Sequence, residues 1–96
     1  MRPSEALQKH KDDIRKAALA RKACNVRVFG SVLYGRDRAG SDIDILVDPL
    51  PGATLCEPGG LQDDLQHILG APVDLLTPGD LPIKFRDNVL REAREI

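Results

Sequence analysis

Gly30-Ser31, ten intervening residues and the pair Asp42-Ile43-Asp44 form the one spacing in this sequence with a specific chemical meaning. A glycine directly after a strand lets the backbone approach a ligand closely. A serine opening the next turn offers a hydroxyl and free N–H groups to a phosphate. Two carboxylates two positions apart on a strand share a face and reach the same cation, and an all-oxygen donor set suits magnesium, with manganese as a substitute, rather than zinc. A phosphate seat beside a cation seat is the arrangement that phosphoryl and nucleotidyl transfer require, because charge on the reacting phosphorus and its oxygens must be neutralised. Asp74, further along the chain, can supply a third carboxylate, either to a second metal ion or as the base for an attacking hydroxyl.

The elements that must position these groups are legible from periodicity. Residues 4 to 23 predict an amphipathic helix with Leu7, Ile14, Ala17, Ala18 and Leu19 apolar or small, opened by Ser4 and an acid. Val26 to Phe29 predicts a short strand that ends at Gly30-Ser31, followed by at most a turn or two of helix over 32–35 and a loop over 36–41. In residues 42–48, alternation places Ile43, Ile45 and Val47 on one face and Asp42, Asp44, Leu46 and Asp48 on the other. A Pro/Gly-rich connection leads to a helix striped by Leu61, Leu65, Ile68 and Leu69 and stopped by Gly70. Residues 71–77 predict a third strand in which Asp74 and Leu76 repeat the Asp-then-Leu order of Asp44 and Leu46, which suggests adjacent strands of the same direction. A last helix over 81–93 would use Phe85, Val89 and Leu90 as its apolar face. The order is α-β-(α)-β-α-β-α, an α/β (α+β) layer.

With 96 residues the chain is expected to form one domain, 1–96. A net charge of −1 with three aromatics and no Trp argues against a nucleic-acid-binding surface. The total hides a sharp asymmetry. Residues 1–38 carry ten Lys/Arg against four Asp/Glu, residues 39–82 carry eight acids and no Lys or Arg, and residues 83–96 carry four bases and three acids. Acids that converge in a folded site repel one another unless protonated or bound to a cation. No apolar stretch is long enough for a signal-peptide core or membrane span, so the chain is read as cytoplasmic. Cys24 and Cys56 are read as free thiols, and His10 and His67 lack metal-ligand spacing. His67 is expected to be a half-buried structural residue. Asp48 is set aside as solvated or capping, Ser41 as a turn cap, and Lys84, Arg86, Arg91 and Arg94 as balancing a helix C-terminus.

The segment FGSVLYGRDRAGSDIDILVD, residues 29–48, resembles the signature of the polymerase-beta-like nucleotidyltransferases, specifically the minimal nucleotidyltransferases of toxin–antitoxin pairs. VDLLTPGDLP, residues 73–82, is similar to that family's third-carboxylate strand and its exit. The resemblance implies a short mixed β-sheet with helices packed mainly on one face. It further implies that Gly30 and Ser31 hold the triphosphate, that Asp42 and Asp44 bind the metals, and that Asp74 activates the acceptor hydroxyl and can share a metal. The activity it implies is transfer of AMP from ATP, with Mg2+ in a two-metal site, onto a tyrosine of a partner HEPN toxin. Many members carry Arg in the turn after Gly-Ser, where this chain has Val32, Leu33 and Tyr34; Arg36 or Arg38 could take that place.

Two alternatives remain at this level. One is a non-catalytic module that neutralises a partner by stoichiometric occlusion. The other is a small-molecule nucleotidyltransferase of the aminoglycoside type, which normally needs a further helical domain. A chain this small is expected to take part of its acceptor surface from a second copy or another protein.

Overall fold

A computed structural model describes residues 3–30, 42–52 and 57–96. Helix α1 (Pro3–Ala20) is followed by strands β1 (Ala23–Phe29) and β2 (Ile43–Pro49), helix α2 (Glu57–Leu69) and strand β3 (Val73–Leu76). A 3-10 turn (Pro78–Asp80), helix α3 (Ile83–Glu92) and strand β4 (Arg94–Glu95) complete the order. The four strands form one sheet in the order β3-β2-β1-β4, with β2 antiparallel to β1 and parallel to β3. The parallel pairing follows from the helix between β2 and β3, since only a crossover can return the chain in the same direction. It also bears out the shared direction expected from the repeated Asp-Leu order.

The core lies between one face of this mixed sheet and two helices. Ala6, Leu7, Ile14 and Ala18 recur on one side of α1, and Leu61, Leu65 and Leu69 stand one turn apart on α2. Both stripes are buried against Ile43, Ile45 and Val47 of β2 together with Val26, Val28 and Val73. An ion pair from Arg21 Nε to Asp64 Oδ2, 2.9 Å, links the end of α1 to α2. Gly70 takes a left-handed φ of +65° and terminates α2, as its position predicts. β3 is an edge strand, and α2 guards it. Gln66 accepts the Val73 amide at 3.0 Å and Gln62 the Leu75 amide at 3.3 Å, satisfying donors that would otherwise face a free edge.

The structure departs from expectation in several places. β1 begins at Ala23, three residues early, because Asn25 adopts φ +51° and opens a bulge between Cys24 and Arg27, which period-two reading does not detect. β4 was not expected; two residues, pairing with Arg27 and Val28, are too short to show alternation. His67 is exposed rather than half-buried, since it falls outside the Leu61-Leu65-Leu69 stripe. The apolar residues of α3 do not form a core face: no residue of that helix is buried, and Phe85 is 53% exposed. The buried leucine is Leu81, which precedes α3 rather than starting it. With Leu46 it lies outside the main core, where the 3-10 turn packs against β2. Among the described residues no helix is long and apolar enough to cross a membrane.

Candidate active site

β1 ends by placing Phe29 opposite Asp44, and β3 places Asp74 beside Asp44 in register. Asp44 and Asp74 therefore project from the same sheet face, on adjacent strands whose spacing is about 4.8 Å. This is the face opposite the helices. Asp42 sits one residue before β2, exposed to solvent, as Asp74 is. Gly30 follows β1 with φ +74°, a backbone conformation that L side chains avoid. A Cβ built on Gly30 would stand 2.2 Å from Asp44 Oδ2, so the space that glycine leaves is where the Asp44 carboxylate lies. The end of β1 and the start of β2 thus meet at Gly30 and Asp44.

The electrostatics agree with this placement. The Asp44 carboxyl is held above its ordinary value of 3.8, first by partial burial and then by the neighbouring negative charges of Asp74 and Asp42. Three carboxylates thus share one field, and among the described residues none of the three has a hydrogen bond or ion pair that would neutralise it. Asp48, on the same face of β2, is different. It accepts Arg27 Nη2 at 2.7 Å and Asn25 Nδ2 at 2.9 Å. The structure thus gives Asp48 two specific partners in place of the solvated or capping role expected. Arg27 was not singled out in the sequence, although its position one strand over from Leu46 is a consequence of the register.

Among the described residues no three His, Cys, Asp or Glu side chains are gathered closely enough to hold a metal ion as placed. The donor set nevertheless fits a hard divalent cation in kind. It is all carboxylate oxygen, the charges of Asp74 and Asp42 add to burial in raising the proton affinity of Asp44, and an added positive charge would relieve that repulsion. Ser31, the other half of the phosphate seat, lies outside the described residues, as do the short helix expected over 32–35, Arg36, Arg38, Ser41 and Cys56.

Comparison with known proteins decides the family. The polymerase beta nucleotidyltransferase model matches residues 6–96. The chain belongs to this family. Among relatives of this nucleotidyltransferase, the protein adenylyltransferase MntA of Thermococcus cleftensis is 35% identical over 87 residues, covering 91% of this chain and 85% of that protein. A proposed protein adenylyltransferase of Methanocaldococcus jannaschii, MJ0435, is 35% identical over 69 residues, 72% of this chain and 74% of its own. A solved structure described as a proposed minimal nucleotidyltransferase superposes with a TM-score of 0.86 at 35% identity, covering 97% of this chain and 95% of that one. A toxin–antitoxin crystal structure with AMP-PNP shares the fold at a TM-score of 0.73 and 23% identity, over 88% of this chain and 70% of its own. The α/β architecture with a mixed four-stranded sheet is accordingly the nucleotidyltransferase fold.

Proposed function

We propose that this nucleotidyltransferase is a cytoplasmic antitoxin that transfers AMP from ATP to a hydroxyl of a partner protein, a tyrosine of a HEPN toxin, using Mg2+. The observation that carries the reading is Asp44 set between Gly30 in front and Asp74 at its side. Relatives named protein adenylyltransferases support the protein acceptor. The toxin–antitoxin complex with AMP-PNP supports both the partner class and the nucleotide.

In this mechanism the backbone of Gly30, whose missing side chain leaves room for the Asp44 carboxylate, and the hydroxyl and N–H of Ser31 hold the triphosphate beside that carboxylate. Asp42 and Asp44 would hold the magnesium ions, with Asp74 able to share one; bound there, the metal supplies charge neutralisation at the phosphates. Asp74, exposed on the neighbouring strand, takes the proton as the acceptor oxygen forms its bond to the α-phosphorus. The bond from that phosphorus to the β-phosphate oxygen breaks and pyrophosphate leaves.

The test is the intact mass of the protein encoded beside this chain, measured after incubation with this protein, ATP and Mg2+, against an Asp42→Asn/Asp44→Asn control. The expected result is a gain of one or more AMP units that the control lacks. A stable one-to-one complex with no mass gain would overturn transfer in favour of occlusion.

A further inference from the structure

Asp74, the acid that the transfer reading asks to take a proton, stands on a strand with little support of its own. β3 has four residues and lies at an edge of the sheet. Asp74 is exposed, and among the described residues no hydrogen bond or ion pair holds its carboxylate. Its place beside Asp44 is therefore set by the strand alone. Along a strand the peptide groups of successive residues face opposite sides. The Pro72 carbonyl accepts the Ile43 amide at 2.9 Å, so Asp74 turns its peptide groups toward β2 while Val73 and Leu75 turn theirs outward. A further strand would supply acceptors there. The backbone of α2 cannot, because its carbonyls are engaged within the helix. Two side chains do so instead: Gln66 Oε1 accepts the Val73 amide at 3.0 Å and Gln62 Oε1 the Leu75 amide at 3.3 Å. The spacings match. Four helix residues rise about 6 Å and two strand residues about 6.6 Å, so glutamines one turn apart meet alternate amides of a strand running the other way. Both glutamines are half-buried, and each directly follows a buried leucine of the core stripe, Leu61 or Leu65, which sets them beside the strand edge. The next outward amide, that of Thr77, is taken by Asp80 Oδ2 at 3.0 Å within the turn that follows.

We propose that Gln62 and Gln66 are positioning residues for the transfer reaction: by holding the amides on either side of Asp74 they fix β3 so that this acid stays in register beside Asp44. The inference rests on the transfer reading above. Protection of the edge does not by itself account for the pair. A charge, a proline or a covering loop is enough to blunt an edge strand. Two neutral acceptors set at strand spacing add hydrogen bonds on the open side of β3, one before Asp74 and one after it. Without them the strand is held by its pairing with β2 on one side only, and a short edge strand opens at low cost. The acid would move with it. A misplacement of about 1 Å at a reacting group costs on the order of 100-fold in rate. Gln62 and Gln66 touch neither nucleotide nor acceptor in this scheme; they act through Asp74.

The experiment measures kcat and the ATP KM for AMP transfer to the protein encoded beside this chain. It compares wild type, Gln62→Met/Gln66→Met, which keeps side-chain length and removes the acceptors, and Gln62→Glu/Gln66→Glu, which restores them. The methionine pair is also combined with Asp74→Asn, and amide exchange is followed by NMR on the same samples. The methionine pair is expected to lower kcat about 30-fold with the ATP KM within about twofold of wild type, and the glutamate pair to recover at least about a third of the rate. On the Asp74→Asn background the methionine pair should cost less than about twofold, because groups that act through one residue are not additive with its loss. The Asp74 amide should exchange about 10-fold faster in the methionine pair, with the amides of α1 unchanged. A methionine pair that transfers within twofold of wild type would overturn the proposal. So would a full 30-fold loss on the Asp74→Asn background, a loss confined to KM, or a glutamate pair as slow as the methionine pair. If wild type transfers no AMP, the transfer reading falls by itself. Amide exchange then decides the clamp, and an unchanged Asp74 amide overturns it.

Discussion

Asp44 and Asp48 are four residues apart on one strand and lie on the same face, yet the fold treats them in opposite ways. Asp48 meets Arg27 at 2.7 Å and Asn25 at 2.9 Å across the pair with β1. Asp44 meets Asp74 in register across the pair with β3, Asp42 just before it, and the empty side of Gly30. At one end of β2 the neighbours neutralise the charge, and at the other they add to it. A carboxylate that is paired within the fold and one proposed to hold a metal ion are therefore distinguished by what the adjoining strands bring. Residue type and strand position do not separate them.

The largest expected effect breaks the acidic end alone. Asp44→Asn keeps the shape of the side chain and removes the charge, and AMP transfer is expected to fall by about 1,000-fold, the scale of losing a principal electrostatic group of a transfer site. Asp48→Asn is expected to retain transfer within about threefold, because its loss touches a structural pair. Single-turnover transfer to the partner, measured for both variants, checks the contrast. Equal losses would mean that the two acids serve one site.

That contrast was half legible in the sequence. Alternation placed Asp42, Asp44 and Asp48 together, and the repeated Asp-Leu order placed Asp74 on a neighbouring strand of the same direction. The partners of Asp48 were not legible, because they depend on the β1–β2 register and on a bulge at Asn25 that no apolar period encodes. The same limit explains β4, and α3 shows its converse. An amphipathic pattern in α3 predicts an apolar face but cannot say whether this chain or another one covers it.

The next effect sharpens the acidic end from the glycine side. Gly30→Ala must relieve both a left-handed φ of +74° and a 2.2 Å overlap with Asp44 Oδ2. The side chain has to turn away or the strand end has to move. Transfer is expected to drop by about 100-fold, with a stability loss of about 1–2 kcal/mol from the backbone conformation and the clash. Chemical denaturation and the transfer assay on the same sample check it. Loss of stability with full activity would show that the Gly30–Asp44 contact matters only for folding.

The smallest effect is the most discriminating, because the two acids should differ in sign. Asp44 has a raised pKa in the folded chain, so the folded state holds its proton to higher pH than the unfolded state does. Below about 3.8 both states are protonated and the residue contributes nothing. As pH rises from there through the folded-state value, ionisation becomes a penalty on folding, and it persists at neutral pH. Asp44→Asn removes that penalty. At pH 7 the variant is expected to be more stable than wild type by about 0.5 kcal/mol after allowance for solvent screening, with the difference vanishing in acid. Asp48→Asn should do the reverse, leaving Arg27, whose side chain is 16% exposed, without its carboxylate at a cost of about 1–2 kcal/mol. Urea unfolding of the two variants at pH 7, and of Asp44→Asn across the acid range, checks both signs. If Asp44→Asn proved as destabilising as Asp48→Asn, the carboxylates around Asp44 would already be neutralised by a cation that the free protein retains through purification.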